Sequence, residues 1–307
     1  MKRVAALDCG TNSIRLLIAA ENTEVGTFTE ISRKMSIVKL GEGVDKSKAF
    51  LPDAISRTLV ALKVFAKEIT EAKVDQIRFC ATSATRDAQN RDDFLTPVAE
   101  ILGITPEVIT GDEEAKLSFL GATQALSKSD GPFLVIDIGG GSTEFVFGIA
   151  QVEAARSVNI GCVRMSERHF KNDPPNQSEI EGARVDIRNA IALAGEVVLI
   201  KNAKTLVAVA GTATTVAAAA LNLAEYDSEL IHLAKISAVD TRRVSYWLLT
   251  LTRQERADLG YMHPGRVDVI AAGSLVLAEI MEATGLTSFV ASENDILDGM
   301  VWSMLNA

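Results

Sequence analysis

Two stretches of this chain follow one pattern. Val4-Ala5-Ala6-Leu7-Asp8-Cys9-Gly10-Thr11-Asn12-Ser13 and Phe133-Leu134-Val135-Ile136-Asp137-Ile138-Gly139-Gly140-Gly141-Ser142 each run apolar residues into an aspartate and a Gly/Ser turn. A second apolar run follows each turn, Ile14 to Ala20 and Phe145 to Ile149. Each copy reads as a β-hairpin. A buried strand delivers a carboxylate at its end, and glycines without Cβ let backbone N–H groups turn toward an anion. An aspartate capping a turn would explain either copy alone. Two copies predict two facing lobes that grip opposite sides of a phosphate or metal-phosphate group.

The copies differ at one equivalent position, Arg15 in the first and Glu144 in the second. Opposite charges there imply different work. Arg15 can fork two N–H bonds onto phosphate oxygens, whereas Asp137 and Glu144 can hold a hard divalent cation directly or through water. The bland alternative is a pair of solvated strand residues.

Composition narrows the classes. The chain has 307 residues, 48% of them hydrophobic and only 7 proline, enough for two well-packed domains. Met1-Lys2-Arg3 leads into a short strand and a polar turn rather than a cleavable apolar segment, so the expectation is a cytoplasmic protein. Residues 205–224 are uncharged but rich in Ala and Thr and interrupted by Gly211, which fits strand, turn and helix better than a membrane span. The three cysteines (Cys9, Cys80, Cys162) and three histidines (His169, His232, His263) have no metal-ligand spacing. Cys9 lies inside the first turn, yet its counterpart is Ile138, so it reads as small filler. A net charge of -9, from 31 Lys plus Arg against 40 Asp plus Glu, argues against nucleic acid. Cations serving a polyanion must therefore be local, with Arg33, Lys34, Lys39, Arg86, Arg164, Arg168 and Lys171 as candidates.

Periodicity orders the elements. A third strand is expected over 24–40, a helix over 51–72 with Pro52 in its first turn, and a strand over 76–81. A helix over 92–102 stopped by Gly103, a strand over 107–109 and a helix over 111–127 complete the first lobe. Ser127 to Pro132 reads as a linker. The second lobe repeats the plan, with strands near 132–137, 144–149, 153–160 and 205–210, and helices near 178–199 and from 212 onward. Asp240 is the expected N-cap of a helix reaching Leu251. Arg266 to Thr284 is expected as another helix, Ser288 to Ala291 as a strand, and Asp295 to Leu305 as the last helix. The division is thus 1–126 and 127–294, an α/β chain whose mixed β-sheets are flanked by helices.

Paired hairpins of this kind resemble the sugar kinase, actin and heat-shock chaperone superfamily, whose two lobes are ribonuclease H-like with an interdomain active-site cleft. That 295–307 joins the first lobe is implied only by this superfamily resemblance. Four blocks in order narrow the match: Asp8 to Leu16, Ala81-Thr82-Ser83-Ala84-Thr85-Arg86-Asp87-Ala88, Gly111-Asp112-Glu113-Glu114-Ala115, and Asp137 to Glu144. They resemble the exopolyphosphatase and guanosine pentaphosphate phosphohydrolase family. The likeness continues through Gly211-Thr212-Ala213-Thr214-Thr215 and Arg266-Val267-Asp268-Val269-Ile270, nearly the whole chain.

The resemblance implies hydrolysis of the terminal phosphoanhydride of inorganic polyphosphate, releasing orthophosphate, with Mg²⁺ or another divalent cation such as Mn²⁺. Such a reaction needs in-line water, neutralised phosphoryl oxygens and a group that orients the water. The resemblance assigns phosphate binding to Gly10, Thr11, Asn12, Ser13, Arg15 and Arg86, and to Gly139, Gly140, Gly141, Ser142 and Thr143. It assigns the metal to Asp137 and Glu144. For the base, Glu113 and Glu114 compete. Thr110-Gly111-Asp112-Glu113 fits a capping box in which Glu113 folds back on Thr110, leaving Glu114, which is also the match to the family's catalytic glutamate. Both acids equally suit the helix N-terminal dipole. The turn at Gly211 to Thr215 is a weaker phosphate or nucleoside candidate.

Many relatives of that family carry added domains, and this sequence covers the two lobes alone, which points to short chains or to a groove completed in a homodimer. Ser292 to Gly299 also lacks the Gly-Leu-Arg-Glu-Gly pattern common in the family. Guanosine pentaphosphate 5′-phosphohydrolysis is the alternative reading, and a non-catalytic polyphosphate or alarmone sensor the alternative of another class. A kinase is disfavoured because no sugar-binding aspartate or adenosine pocket is legible.

Overall fold

The structure, a computed structural model, describes residues 1–22 and 27–306. It divides into two compact units, Met1–Gly121 with Ile296–Ala307, and Ala122–Asp295. The sequence placed the divisions at 126/127 and 294/295.

In the first unit, β1 (Arg3–Cys9), β2 (Ser13–Asn22) and β3 (Thr27–Ile37) form an antiparallel meander, and β4 (Gln76–Ala81) and β5 (Glu107–Val108) add on parallel to β1. The sheet order is β3-β2-β1-β4-β5. Residues 24–26 of the expected third strand lie outside the described residues, and Val38 to Leu40 leave the sheet.

Side chains of β1 alternate between two buried faces. Ala5, Leu7 and Cys9 join the core that holds Leu62, Phe65 and Phe94. Val4 and Ala6, with Leu17 and Ala19, pack under Ile296, Met300, Val301 and Met304 of the helix Ile296–Leu305. The first face is covered by Pro52–Ala72, which buries Ala54, Thr58, Leu62, Phe65 and Ile69 at helical spacing, and by Asp92–Leu102, closed by Gly103 at φ 68°. The helix Gly111–Thr123 ends four residues short of the expected Ser127, because Gln124 and Ala125 are exposed and nothing buries the next turn.

The second unit repeats the sheet. Its β6 (Phe133–Ile138), β7 (Thr143–Gly148) and β8 (Val152–Val158) are antiparallel, and β9 (Thr205–Val209) is parallel to β6. The short β10 (Lys235–Ser237) lies at the edge beside β11 (Ser288–Ala291), giving the order β10-β11-β9-β6-β7-β8. Without β10, the two orders superimpose strand for strand. Two ribonuclease H-like sheets flanked by helices therefore make up the chain.

Two further helix expectations need correction. Ser237, not Asp240, caps Ala238–Thr250: its hydroxyl accepts from the Asp240 amide at 3.0 Å, and Asp240, three residues in, accepts from that hydroxyl at 2.7 Å. The expected helix from Arg266 begins at Ile270, since Pro264–Arg266 is a 3₁₀ turn and Val269 (φ -120°, ψ -14°) breaks the run. A helix at Cys162–His169 was not foreseen. Among the described residues, no helix is long and apolar enough to cross a membrane.

Candidate functional site

The first unit collects its expected site residues at the carboxyl ends of β1, β4 and β5, where parallel strands open toward ligands. The β1–β2 hairpin aligns Asp8 directly opposite Arg15, and its turn closes with the Gly10 amide on the Ser13 carbonyl at 2.9 Å. The Thr11 carbonyl accepts from Gly41, and the Asn12 carbonyl from Val38 and Lys39. A trans peptide points its C=O and the following N–H in opposite directions. The amides of Asn12 and Ser13 consequently face away from the 38–41 segment. The Thr11 hydroxyl is buried and has no hydrogen-bond partner among the described residues.

Arg15 is placed otherwise than expected. Its Nε and Nη2 both donate to Asp8 Oδ2, at 3.0 and 2.7 Å, because two opposite charges share one cross-strand position on a nearly buried face. The pair is locally neutral.

Arg86 follows β4 on the short helix Ser83–Asp87, whose lead-in is tied to β1 by the Thr82 amide on the Cys9 carbonyl. Its Nη1 donates to Glu114 Oε2 at 2.7 Å and to the Ile109 carbonyl at 3.0 Å. The other guanidinium nitrogens, on a side chain 24% exposed, remain for an anion. Of the capping box expected at Thr110, only one half forms, and Glu114 is bonded to Arg86. The Glu113 amide donates to Thr110 Oγ1, but its carboxylate accepts from Arg78 Nη2 at 3.2 Å.

The second unit's hairpin is built alike. Asp137 lies opposite Glu144, and the Gly139 amide donates to the Ser142 carbonyl at 3.0 Å. The carbonyls of Gly139, Gly140 and Gly141 all accept from residues 161–164 at the start of the Cys162 helix. By the same peptide geometry, the amides of Gly140, Gly141 and Ser142 face the opposite way. Arg164, only 5% exposed, reinforces this with Nε on the Gly141 carbonyl at 2.7 Å. It braces the turn rather than reaching a ligand.

Two hydroxyls of the expected phosphate set are committed elsewhere. Ser142 Oγ donates to Glu144 Oε1 at 2.7 Å, joined there by Ser157 Oγ, and Thr143 Oγ1 donates to the Ile160 carbonyl. Both residues are buried, so their hydroxyls must find protein partners. Ser142 keeps its amide for the turn. Arg33 binds Asp298, Arg168 binds Asp186, and Lys171 Nζ donates to the Glu167 carbonyl, so these candidate cations serve the fold. Burial, helped by the Asp8 charge, pushes the Cys9 thiol well above its ordinary value and makes it inert filler.

Gly161 escaped the sequence reading. A Cβ there would lie 2.3 Å from the carbonyl carbon and oxygen of Gly140, so only glycine lets the strand end pack on the turn. Its one sequence signal was a glycine just beyond a strand.

Asp137 and Glu144 fit a small hard cation. They are nearly wholly buried cross-strand neighbours, and two hydroxyls fix Glu144 in orientation. No cluster of three or more His, Cys, Asp or Glu able to hold a metal occurs among the described residues. Mg²⁺ needs no such cage: it is typically held by one or two carboxylates, with water and substrate phosphate completing its shell.

The sequence matches the model of the Ppx/GppA phosphatase family over residues 17–307. It is 44% identical to Exopolyphosphatase 2 of Mycobacterium tuberculosis over 99% of both chains. It is also 30% identical to a guanosine-5′-triphosphate,3′-diphosphate pyrophosphatase of Photobacterium profundum, over 98% of this chain and 59% of that one. The fold superimposes on the crystal structure of the Aquifex aeolicus Ppx/GppA family member with a TM-score of 0.84 at 30% identity, covering 99% of this chain and 98% of the other.

Proposed function

The chain belongs to the Ppx/GppA phosphatase family, and from that premise we propose that it is an exopolyphosphatase, hydrolysing the terminal phosphoanhydride of inorganic polyphosphate to orthophosphate. The observation that carries this reading is the pair of hairpins closed by the same glycine-to-serine bond, each with its turn carbonyls bonded to a neighbouring segment so that the following amides face the other way. Identity of 44% over 99% of both chains to a protein named Exopolyphosphatase 2 supports polyphosphate over other anhydrides.

In this mechanism the amides of Asn12 and Ser13, and of Gly140, Gly141 and Ser142, donate to phosphoryl oxygens. They are prearranged by the protein's own hydrogen bonds, so they stabilise charge developing in the transition state without reorganising. The Thr11 hydroxyl and the remaining nitrogens of Arg86 add donors. Glu114, held by Arg86, orients the attacking water and takes its proton. Asp8 neutralises Arg15, so Arg15 serves to orient Asp8 before it serves a phosphate. Asp137 and Glu144 would hold Mg²⁺, which supplies positive charge to the phosphoryl oxygens when bound. A cytoplasmic homodimer completes the proposal.

The test is orthophosphate release with Mg²⁺ from short and long polyphosphate, guanosine pentaphosphate and ATP at equal terminal-phosphate concentration, for wild type and Glu114→Gln. Polyphosphate is expected to dominate, and the variant to bind it without turnover. Dominant release from pentaphosphate would move the assignment to the alarmone reaction. Binding of polyphosphate with no release from any substrate would make the protein a sensor.

A further inference from the structure

The helix that carries Glu114 is set against the last helix of the first unit by a backbone contact that only glycine allows. A Cβ on Gly299 would lie 1.9 Å from the Leu117 carbonyl oxygen, 2.7 Å from its carbon and 3.1 Å from its Cα. Leu117 is less than one helical turn from Glu114, on the same buried side. Gly299 is in the interior of the helix Ile296–Leu305, where glycine costs about 1 kcal/mol relative to alanine. The approach to Leu117 gives that cost a structural reason.

A second tie runs between the same two helices. Arg78, on β4, donates through Nη1 to Ser303 Oγ at 3.2 Å and through Nη2 to Glu113 Oε1 at 3.2 Å. Ser303 follows Gly299 by about one turn, and Glu113 is the immediate neighbour of Glu114. Below both, Met300, Val301 and Met304 are buried against β1 and β2, which fixes the last helix on the sheet. Its position is thus set by the core, and the Glu114 helix rests on it at Leu117 and is laced to it at Glu113.

We infer that Gly299 and Arg78 are positioning residues for Glu114: the last helix sets the depth at which the Glu114 helix lies on the sheet, and so where the water-orienting carboxylate stands. The inference rests on the reading of Glu114 as that carboxylate. Contacts below 3.0 Å are essentially never made by real Cβ atoms, so alanine at 299, starting from 1.9 Å, must displace the Glu114 helix by about 1 Å. A shift of that size in a reacting group is worth roughly 10²-fold in rate.

The experiment is a double-mutant cycle on polyphosphate hydrolysis, with Gly299→Ala, Arg78→Gln, Glu114→Gln and each double variant. Thermal melts and equilibrium polyphosphate binding are measured in parallel. Gly299→Ala is expected to lower kcat about 10²-fold with KM within about twofold, and Arg78→Gln to lower kcat by a smaller factor. Neither should reduce the residual rate of Glu114→Gln further, because both act through Glu114. Equal losses in the presence and absence of Glu114, or unchanged kcat in both single variants, would overturn the inference. Should Gly299→Ala not fold, Arg78→Gln carries the cycle: its partners Glu107 and Glu113 are 46% and 41% exposed, so no buried charge is stranded. Full turnover by Glu114→Gln would overturn the inference through its premise, a result distinct from an inactive Glu114→Gln beside a fully active Gly299→Ala.

Discussion

Gly161→Ala isolates the contribution of the second turn. Gly161 has φ -74° and ψ 160°, a backbone any residue adopts, so alanine brings no conformational strain. The effect is wholly steric. The new Cβ would start 2.3 Å from the carbonyl of Gly140 and 2.4 Å from the nitrogen of Gly141, against a working limit of 3.0 Å, so that peptide must move by about 0.7 Å. The peptide carries the Gly141 amide, and the clash falls on the backbone, which has no rotamer to escape into. Losing one hydrogen bond to a charged oxygen costs about 2 kcal/mol, or roughly thirtyfold in kcat/KM. Overpacking adds about 1–3 kcal/mol of lost stability. Phosphate release from polyphosphate, measured well below the melting temperature, reads the first term, and a thermal melt reads the second. Gly103→Ala is the control: at φ 68° it strains the backbone, but nothing lies within 4 Å of the new Cβ and no turn is touched. Full kcat/KM in Gly161→Ala despite a lowered Tm would refute a phosphate role for the turn. Equal activity losses in both variants would show that general destabilisation was being read.

Glu144→Gln keeps the shape of the second hairpin and removes one of its two charges; the Mg²⁺ concentration for half-maximal release is expected to rise at least about tenfold, and an unchanged titration would remove Glu144 from the metal site. Asp186 gives a pH signature of stability. Burial pushes its carboxyl up, but hydrogen bonds from His169 and Arg168 outweigh this and hold it below the ordinary value. A folded pKa below the unfolded one gives stability that is present above about pH 4 and is lost as pH falls through the folded value. Asp186→Asn should flatten that part of a urea-midpoint profile, and an unaltered profile would assign the acid limb to other carboxylates.

Much of the fold was legible because each strand carried its own punctuation. The run Gln76 to Ala81 and the run Ser288 to Ala291 are apolar segments bounded by polar or turn residues, and the structure places strands at those bounds. Repetition of the aspartate-turn pattern gave the second sheet. The elements that were missed depend on contacts distant in sequence. Cys162–His169 starts just after Gly161, which packs on Gly140, and Ile270–Thr284 starts after a 3₁₀ turn whose Arg266 packs its guanidinium 2.2 Å from where a Gly211 Cβ would stand. At the site, local capping physics placed the Glu113 amide on Thr110 but named the wrong partner for its carboxylate: Arg78 comes from a neighbouring strand, which no helix pattern reveals. Likewise, the Asp8–Arg15 pair and the Thr143–Ile160 bond are properties of sheet register, one step beyond a list of residue types.

The first sheet owes one of its two covers to residues that lie beyond the whole of the second unit in sequence. Until Met300, Val301 and Met304 are made, Val4, Ala6, Leu17 and Ala19 have no cover from that helix. On a ribosome, where domains generally fold from the amino end as units, this reverses the usual order. The second unit, a continuous insertion, can mature first, while the unit whose synthesis began earlier stays open. The helix that closes it is the same one that approaches the Glu114 helix at Leu117, so the carboxylate proposed as base would reach its place only after that last helix has been made.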